Sequence, residues 1–121
     1  MMVEPDDADL ARFLDEDPGG PVVMLNLLRF AEGGFEAYRE YSRHMRNTFL
    51  PRYGAEVVYA GSGSTVLVAE DGRSWDAVVV VRYPDRAAFG RMVADPEYLA
   101  ITHLRTEALS ETVLQATSPW R

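Results

Sequence analysis

The sequence predicts an α+β domain in which helices cover one face of an antiparallel sheet. Three observations predict it. The segments run in the order strand, helix, strand pair, helix pair, strand after an N-terminal helix; two of the strand segments are apolar on both faces; and glycine and proline mark most of the boundaries. A chain of 121 residues, 47% hydrophobic and 26% charged, suits a single core.

Each element follows from its own pattern. Residues 6–16 place Leu10, Phe13 and Leu14 at helical spacing behind Asp6 or Asp7 as N-cap, and Pro18-Gly19-Gly20-Pro21 ends that helix. Val22 to Phe30 is apolar on both alternating faces, which suits a strand covered on both sides. After Gly33-Gly34, the side chains of Phe35, Tyr38, Tyr41, Met45, Thr48 and Phe49 share one face of a helix that stops near Pro51 and Gly54. Glu56–Ala60 and Thr65–Glu70 read as two strands separated by Gly61-Ser62-Gly63-Ser64, a bulge, bend or turn. That glycine pattern lacks a dinucleotide fingerprint's spacing and its following helix, so it is no phosphate cradle.

Asp71-Gly72 signals a hairpin into the strand Trp75–Tyr83. Asp85 caps a helix with Ala88, Phe89, Met92 and Val93 on its apolar stripe; Asp95-Pro96 opens the next, where Tyr98, Ile101, Leu104, Arg105 and Ala108 share a face. Thr112–Thr117 is the last strand. The acidic helix of residues 1–20 reads as an extension to a domain at 21–121. With helices on one sheet face only, the apolar first and third strands expose a patch larger than monomers tolerate, which predicts a homodimer formed sheet to sheet.

Composition removes several kinds of chemistry. There is no cysteine, and all twelve basic residues are arginine, so thiolates, disulfides and lysine Schiff bases are absent. Of the net charge of −7, residues 1–17 hold −6, seven acids against Arg12. This reads as a solvated helix face. An acidic chain with no basic stripe repels phosphate backbones and anionic membranes, and no apolar run approaches a membrane span. A cytoplasmic protein that binds neither nucleic acid nor membrane is expected.

Met24-Leu25-Asn26-Leu27-Leu28-Arg29-Phe30, Trp75-Asp76, Tyr83-Pro84-Asp85 with Phe89 and Met92, and Asp95-Pro96-Glu97-Tyr98 together resemble the family called domain of unknown function 1330, in the dimeric α+β barrel superfamily. The resemblance covers roughly residues 21–117. It implies a ferredoxin-like β-α-β-β-α-β fold, paired into a two-sheet barrel, and a cavity between sheet and helices of the kind that related families use for small molecules. It supplies no catalytic residue.

Candidate site residues follow from residue type and place. Asn26, inside an apolar strand, either pins backbone or points into a pocket. Arg105 matches an arginine of the resembled family and either pairs with an internal acid, the reading we favour, or meets an anionic ligand. His103 is the proton carrier by type, yet two positions from Arg105 it does not share that residue's helix face, and an exposed, inert His103 is the expectation that we weigh against catalysis. His44 is weaker still, and the two histidines make a poor metal site. Tyr38 and Tyr41 are core residues with hydroxyls that need partners, and Trp75 is either core or a platform for a flat ligand.

The leading functional expectation is a dimer that binds a small organic or aromatic molecule among Asn26, Tyr38, Tyr41, Trp75 and Arg105, with no cofactor and no metal. His103 or a tyrosine would move a proton while Asn26 or Arg105 steadies an oxyanion, which serves isomerisation, cyclisation or oxygenation. The alternative is a non-catalytic accessory dimer with a filled cavity. Haem handling is a third reading, because Asn26, Trp75 and His103 match by type what some superfamily relatives use, although their spacing departs from that pattern.

Overall fold

The structure is a computed structural model and describes residues 4–120. Its elements are α1 (Asp7–Asp15), β1 (Val22–Phe30), α2 (Phe35–His44), a π-helical turn (Met45–Phe49), α3 (Leu50–Arg52), β2 (Glu56–Ser62), β3 (Ala77–Tyr83), α4 (Arg86–Ala94), α5 (Pro96–Leu99), α6 (Thr102–Ala108) and β4 (Leu109–Thr117). The four strands form one antiparallel sheet in the order β2-β3-β1-β4, the ferredoxin-like arrangement. The two strands that are apolar on both faces are the two central ones.

Strand alternation sorts side chains to the two sides of this sheet. Val22, Met24 and Leu28 of β1 and Val81 and Tyr83 of β3 are buried on the helix side. The intervening Leu25 and Leu27 pair with Val80 and Val78, and Leu27 also with Val113, on the opposite side, where they are only half-buried.

Caps and small residues fix where the helices sit. Asp6, Asp85 and Asp95 each accept a hydrogen bond from a backbone N–H in the first turn of α1, α4 and α5. Helix α1 packs on α4 through Phe13, edge-on to Phe89 at 5.4 Å, while Arg86 stacks over Phe13 and donates to its carbonyl at 2.7 Å. Its acidic face is exposed, as the charge pattern predicts. Gly34 lets α2 start against the junction of α6 and β4, since a Cβ there would lie 2.2 Å from the Ala108 carbonyl oxygen.

The structure corrects four elements of the sequence reading. The helix expected to run unbroken to Phe49 widens into a π turn, which lowers the rotation per residue and keeps Tyr41, Met45 and Phe49 buried on one side at four-residue spacing. Residues 65–70 form no strand, and the hairpin pairing expected of them with β3 is taken by β1 and β2. Leu67 and Val68 are instead 90% and 95% exposed, and a 3₁₀ turn at Glu70–Gly72 replaces the hairpin. The single helix expected after Asp95 breaks at Ile101 into α5 and α6. Strand β4 starts at Leu109, directly after α6, and not at Thr112.

Candidate functional site

The apolar stripe of α2, the buried face of β1 and β3, and the ends of α5 and α6 converge on a cavity between sheet and helices. It encloses about 60 Å³. Four tyrosines line it: Tyr38 and Tyr41 from α2, Tyr83 from β3 and Tyr98 from α5. The Tyr41 and Tyr98 hydroxyls lie 2.8 Å apart, and the rings of Tyr38 and Tyr41 pack at 5.6 Å between centroids. The Tyr83 hydroxyl points at the Met92 sulfur, 3.9 Å away. The π turn reaches the same wall with Met45 and Arg46.

Arg105 of α6 is the buried charge of this cluster, 3% exposed. Burial works against its charge, but the neighbouring Tyr41, Glu4, Tyr98 and Tyr38 outweigh it, and its pKa is raised. Its Nη1 lies 3.3 Å from Oε1 of Glu4. Burial also raises the pKa of Glu4, opposed by the Arg105 charge and hydrogen bond. The two shifts differ in what they imply for the pair: the cluster holds Arg105 charged, whereas Glu4 is harder to ionise here than in water. A partly buried pair of this kind adds little net stability.

Burial pushes the hydroxyl pKa of all four tyrosines upward, with Tyr41 further raised by Tyr98. At neutral pH they are phenols, so they donate hydrogen bonds and do not act as bases. The Arg105 charge opposes the burial that works against ionisation of Glu4 and of the four tyrosines.

Asn26 lines the cavity, but its amide Nδ2 donates to the backbone carbonyls of Met24 and Val79 at 3.4 and 3.2 Å. It pins β1 to β3 through the Val79 carbonyl. His103 is exposed on α6 and stands outside the cavity lining, because its helix turns Leu104 and Arg105 inward instead. Trp75 is also outside: it stacks on Arg29 at 4.8 Å, and Arg29 points away from the helices and pairs with Glu111. Asp76 beside it accepts from the Phe30 backbone N–H at 2.9 Å. Asn26, Trp75 and His103, the three residues on which the haem reading rests, therefore do not meet around a common ligand space.

His44 has Glu40 4.0 Å away, one helical turn back. Among the described residues no group of three or more acids and histidines is placed to hold a metal ion, and no helix is long and apolar enough to cross a membrane. Among the lining residues that sequence reasoning did not name as site residues are Glu4, Tyr83 and Tyr98. The helical face that carries Arg105 already contained Tyr98. Nothing local marks Glu4.

Comparison with known proteins agrees with this architecture. The family model described as domain of unknown function (DUF1330) matches residues 34–117, so the match begins after β1 and not at residue 21 as the strings of Met24 to Phe30 suggest. A protein of unknown function from Rhodopseudomonas palustris is 31% identical over 98% of this chain and 97% of its own, with a TM-score of 0.89. A putative antibiotic biosynthesis monooxygenase from Bacteriodes thetaiotaomicron has a TM-score of 0.60 at 21% identity, covering 82% of this chain and 89% of its own. A dabb family protein with a ferredoxin-like fold from Mesorhizobium loti has a TM-score of 0.56 at 10% identity, covering 85% and 100%. These last two show likeness of fold alone. No curated protein matches the sequence. With four antiparallel strands in ferredoxin-like order and a family match over most of its length, the chain belongs to the DUF1330 family, a domain of unknown function.

Proposed function

We propose that this protein is a homodimer whose protomers each bind a small organic molecule in the tyrosine-lined cavity and, without a cofactor, stabilise an oxygen anion on it. The observation that carries the reading is the convergence of Tyr38, Tyr41, Tyr83, Tyr98 and Arg105, from four separate elements, on one enclosed space. The Arg105 guanidinium, with the Tyr38 hydroxyl and the free O–H of the Tyr41–Tyr98 pair, suits an enolate, phenolate or carboxylate. Such a site lowers the cost of removing a proton next to a carbonyl or from a phenol, the step shared by isomerisation, cyclisation and oxygenation of easily ionised substrates. The dimer is supported by the half-buried Leu25, Leu27, Val78, Val80 and Val113 on the face away from the helices, which a second sheet would cover.

The small closed volume favours one other reading, an accessory dimer whose cavity its own rings fill. Native mass spectrometry of the purified protein separates the two. A dimer carrying extra mass supports ligand binding, and a dimer that stays bare when small aromatic acids and phenols are added supports the accessory reading. Arg105→Gln that retains the bound mass with unchanged affinity would sink the anion-stabilising role.

A further inference from the structure

Part of the wall of this cavity is shared with an open groove. Glu4 and Pro5 line both the enclosed cavity and an open groove of about 540 Å³ beside α1. Met24, Phe89 and Leu114 are also common to both spaces, but they belong to β1, α4 and β4 and are held by sheet and helix packing. Glu4 and Pro5 belong to no helix or strand. They precede the Asp6 cap of α1, and α1 is itself anchored on α4. Rotation at a few backbone bonds ahead of Asp6 would therefore move this part of the partition and leave the remaining fold in place.

The contact that this segment makes is chemically specific. The Glu4 carboxylate meets the Arg105 guanidinium at 3.3 Å across 101 positions of sequence, with the Arg105 side chain 4% exposed and that of Glu4 35% exposed. A carboxylate thus enters the cavity from the solvent side and sits on its buried cation. The grip is modest, since a partly exposed pair is screened by water and salt. Volume points the same way: an apolar cavity of about 150 Å³ admits benzene, so about 60 Å³ is too small for an aromatic ring until the partition moves and the groove is added.

We propose that Arg105 is the anion subsite of this cavity, that its ligand is a carboxylate carried on a flat, conjugated body, and that Glu4 is a tethered stand-in that this ligand displaces. The inference rests on the small-molecule reading above and names its ligand class. The body is flat because the inner walls are the rings of Tyr38, Tyr41 and Tyr98. The neighbouring phenols supply donors for the carboxylate. A tethered competitor acts at an effective concentration in the millimolar range, so it sets a threshold below which weak acids do not enter.

The test is titration of the full chain and of its Glu4→Gln and Glu4→Ala variants with 4-fluorobenzoate and the neutral 4-fluorobenzamide, followed by ¹⁹F NMR. Both variants are expected to bind 4-fluorobenzoate at least about tenfold tighter than the unsubstituted protein, and 4-fluorobenzamide to gain clearly less, because both probes move the partition but only the benzoate takes the place of the Glu4 carboxylate on Arg105. An equal gain for both probes would reduce Glu4 to a steric plug and overturn the anion subsite. Binding of either probe with no change on replacing Glu4 overturns the stand-in and leaves the cavity reading intact. If neither probe binds any of the three proteins, the inference and the small-molecule reading fall together.

Discussion

The hydroxyls of Tyr41 and Tyr98 meet at 2.8 Å in the core, one carried by α2 and the other by α5, 57 residues later. Each is the other's partner where water does not reach, so the pair fastens α5 to α2 and closes one wall of the cavity. Removing one hydroxyl strands the other. Tyr98→Phe and Tyr41→Phe should each cost about 1–3 kcal/mol, and the double variant clearly less than their sum. Urea denaturation of the four proteins checks this, and simple additivity would mean that the two hydroxyls are not coupled.

Asp95 caps α5, accepts the Tyr53 hydroxyl at 2.6 Å and pairs with Arg52 at 2.8 Å. The Tyr53 and Arg52 hydrogen bonds lower its pKa from 3.8 to about 2. A carboxyl depressed in the folded state contributes stability above its unfolded pKa and loses it as pH falls through the folded one. Between pH values of about 4 and 2 the protein should therefore lose stability through this group, and Asp95→Asn should be less stable at neutral pH with a shallower dependence across that window. Thermal melts of both proteins from about pH 6 to about pH 2 would show parallel curves if Asp95 has no such role.

Gly34 starts α2 in contact with the Ala108 carbonyl, which already accepts from the Ala31 N–H at 2.8 Å. The clash in Gly34→Ala is with backbone, so relief requires moving the α6–β4 junction. Destabilisation of about 1–3 kcal/mol is expected, within the range for overpacking. Chemical denaturation is the measure, and a neutral result would show that this junction yields freely.

Leu25 and Val80 lie opposite one another on the sheet face away from the helices. If a second copy covers that face, the protein should sediment as a dimer and Leu25→Arg as a monomer with an unchanged far-ultraviolet spectrum, because a buried unpaired charge opposes association. A monomeric unsubstituted protein at micromolar concentration, on the order of 10 μM or above, would remove the proposed assembly.

His103 is exposed on α6, so His103→Ala should leave stability within about 0.5 kcal/mol of the original. Ligand binding should be equally unaffected. A large loss of binding would place the ligand somewhere other than the tyrosine cavity.

Elements with local causes were legible in the chain. Val22–Phe30 is apolar except at Asn26 and Arg29 and Ala77–Tyr83 except at Arg82, and Asp85 and Asp95 stand where short side chains satisfy the first turn of a helix. The candidate site was legible in part for the same reason: Tyr38 and Tyr41 fall on the buried stripe of α2, and Arg105 shares its stripe with Leu104 and Ala108. Residues 65–70 have the composition of a strand, but the pairing with β3 that a hairpin would give them is taken by β1 and β2. The π turn was hidden because the same side chains satisfy a regular helical stripe until the sheet sets where they must point.

The sequence by itself determined the fold class and the two central strands, since these depend on periodicity and capping within a few residues. Only the tertiary structure decided which polar groups share the cavity. Glu4 reaches Arg105 over 101 positions, Tyr41 reaches Tyr98 over 57, and His103 turns outward while Arg105 beside it turns in. Such meetings are set by how helices pack on the sheet, and no pattern within a single element encodes them.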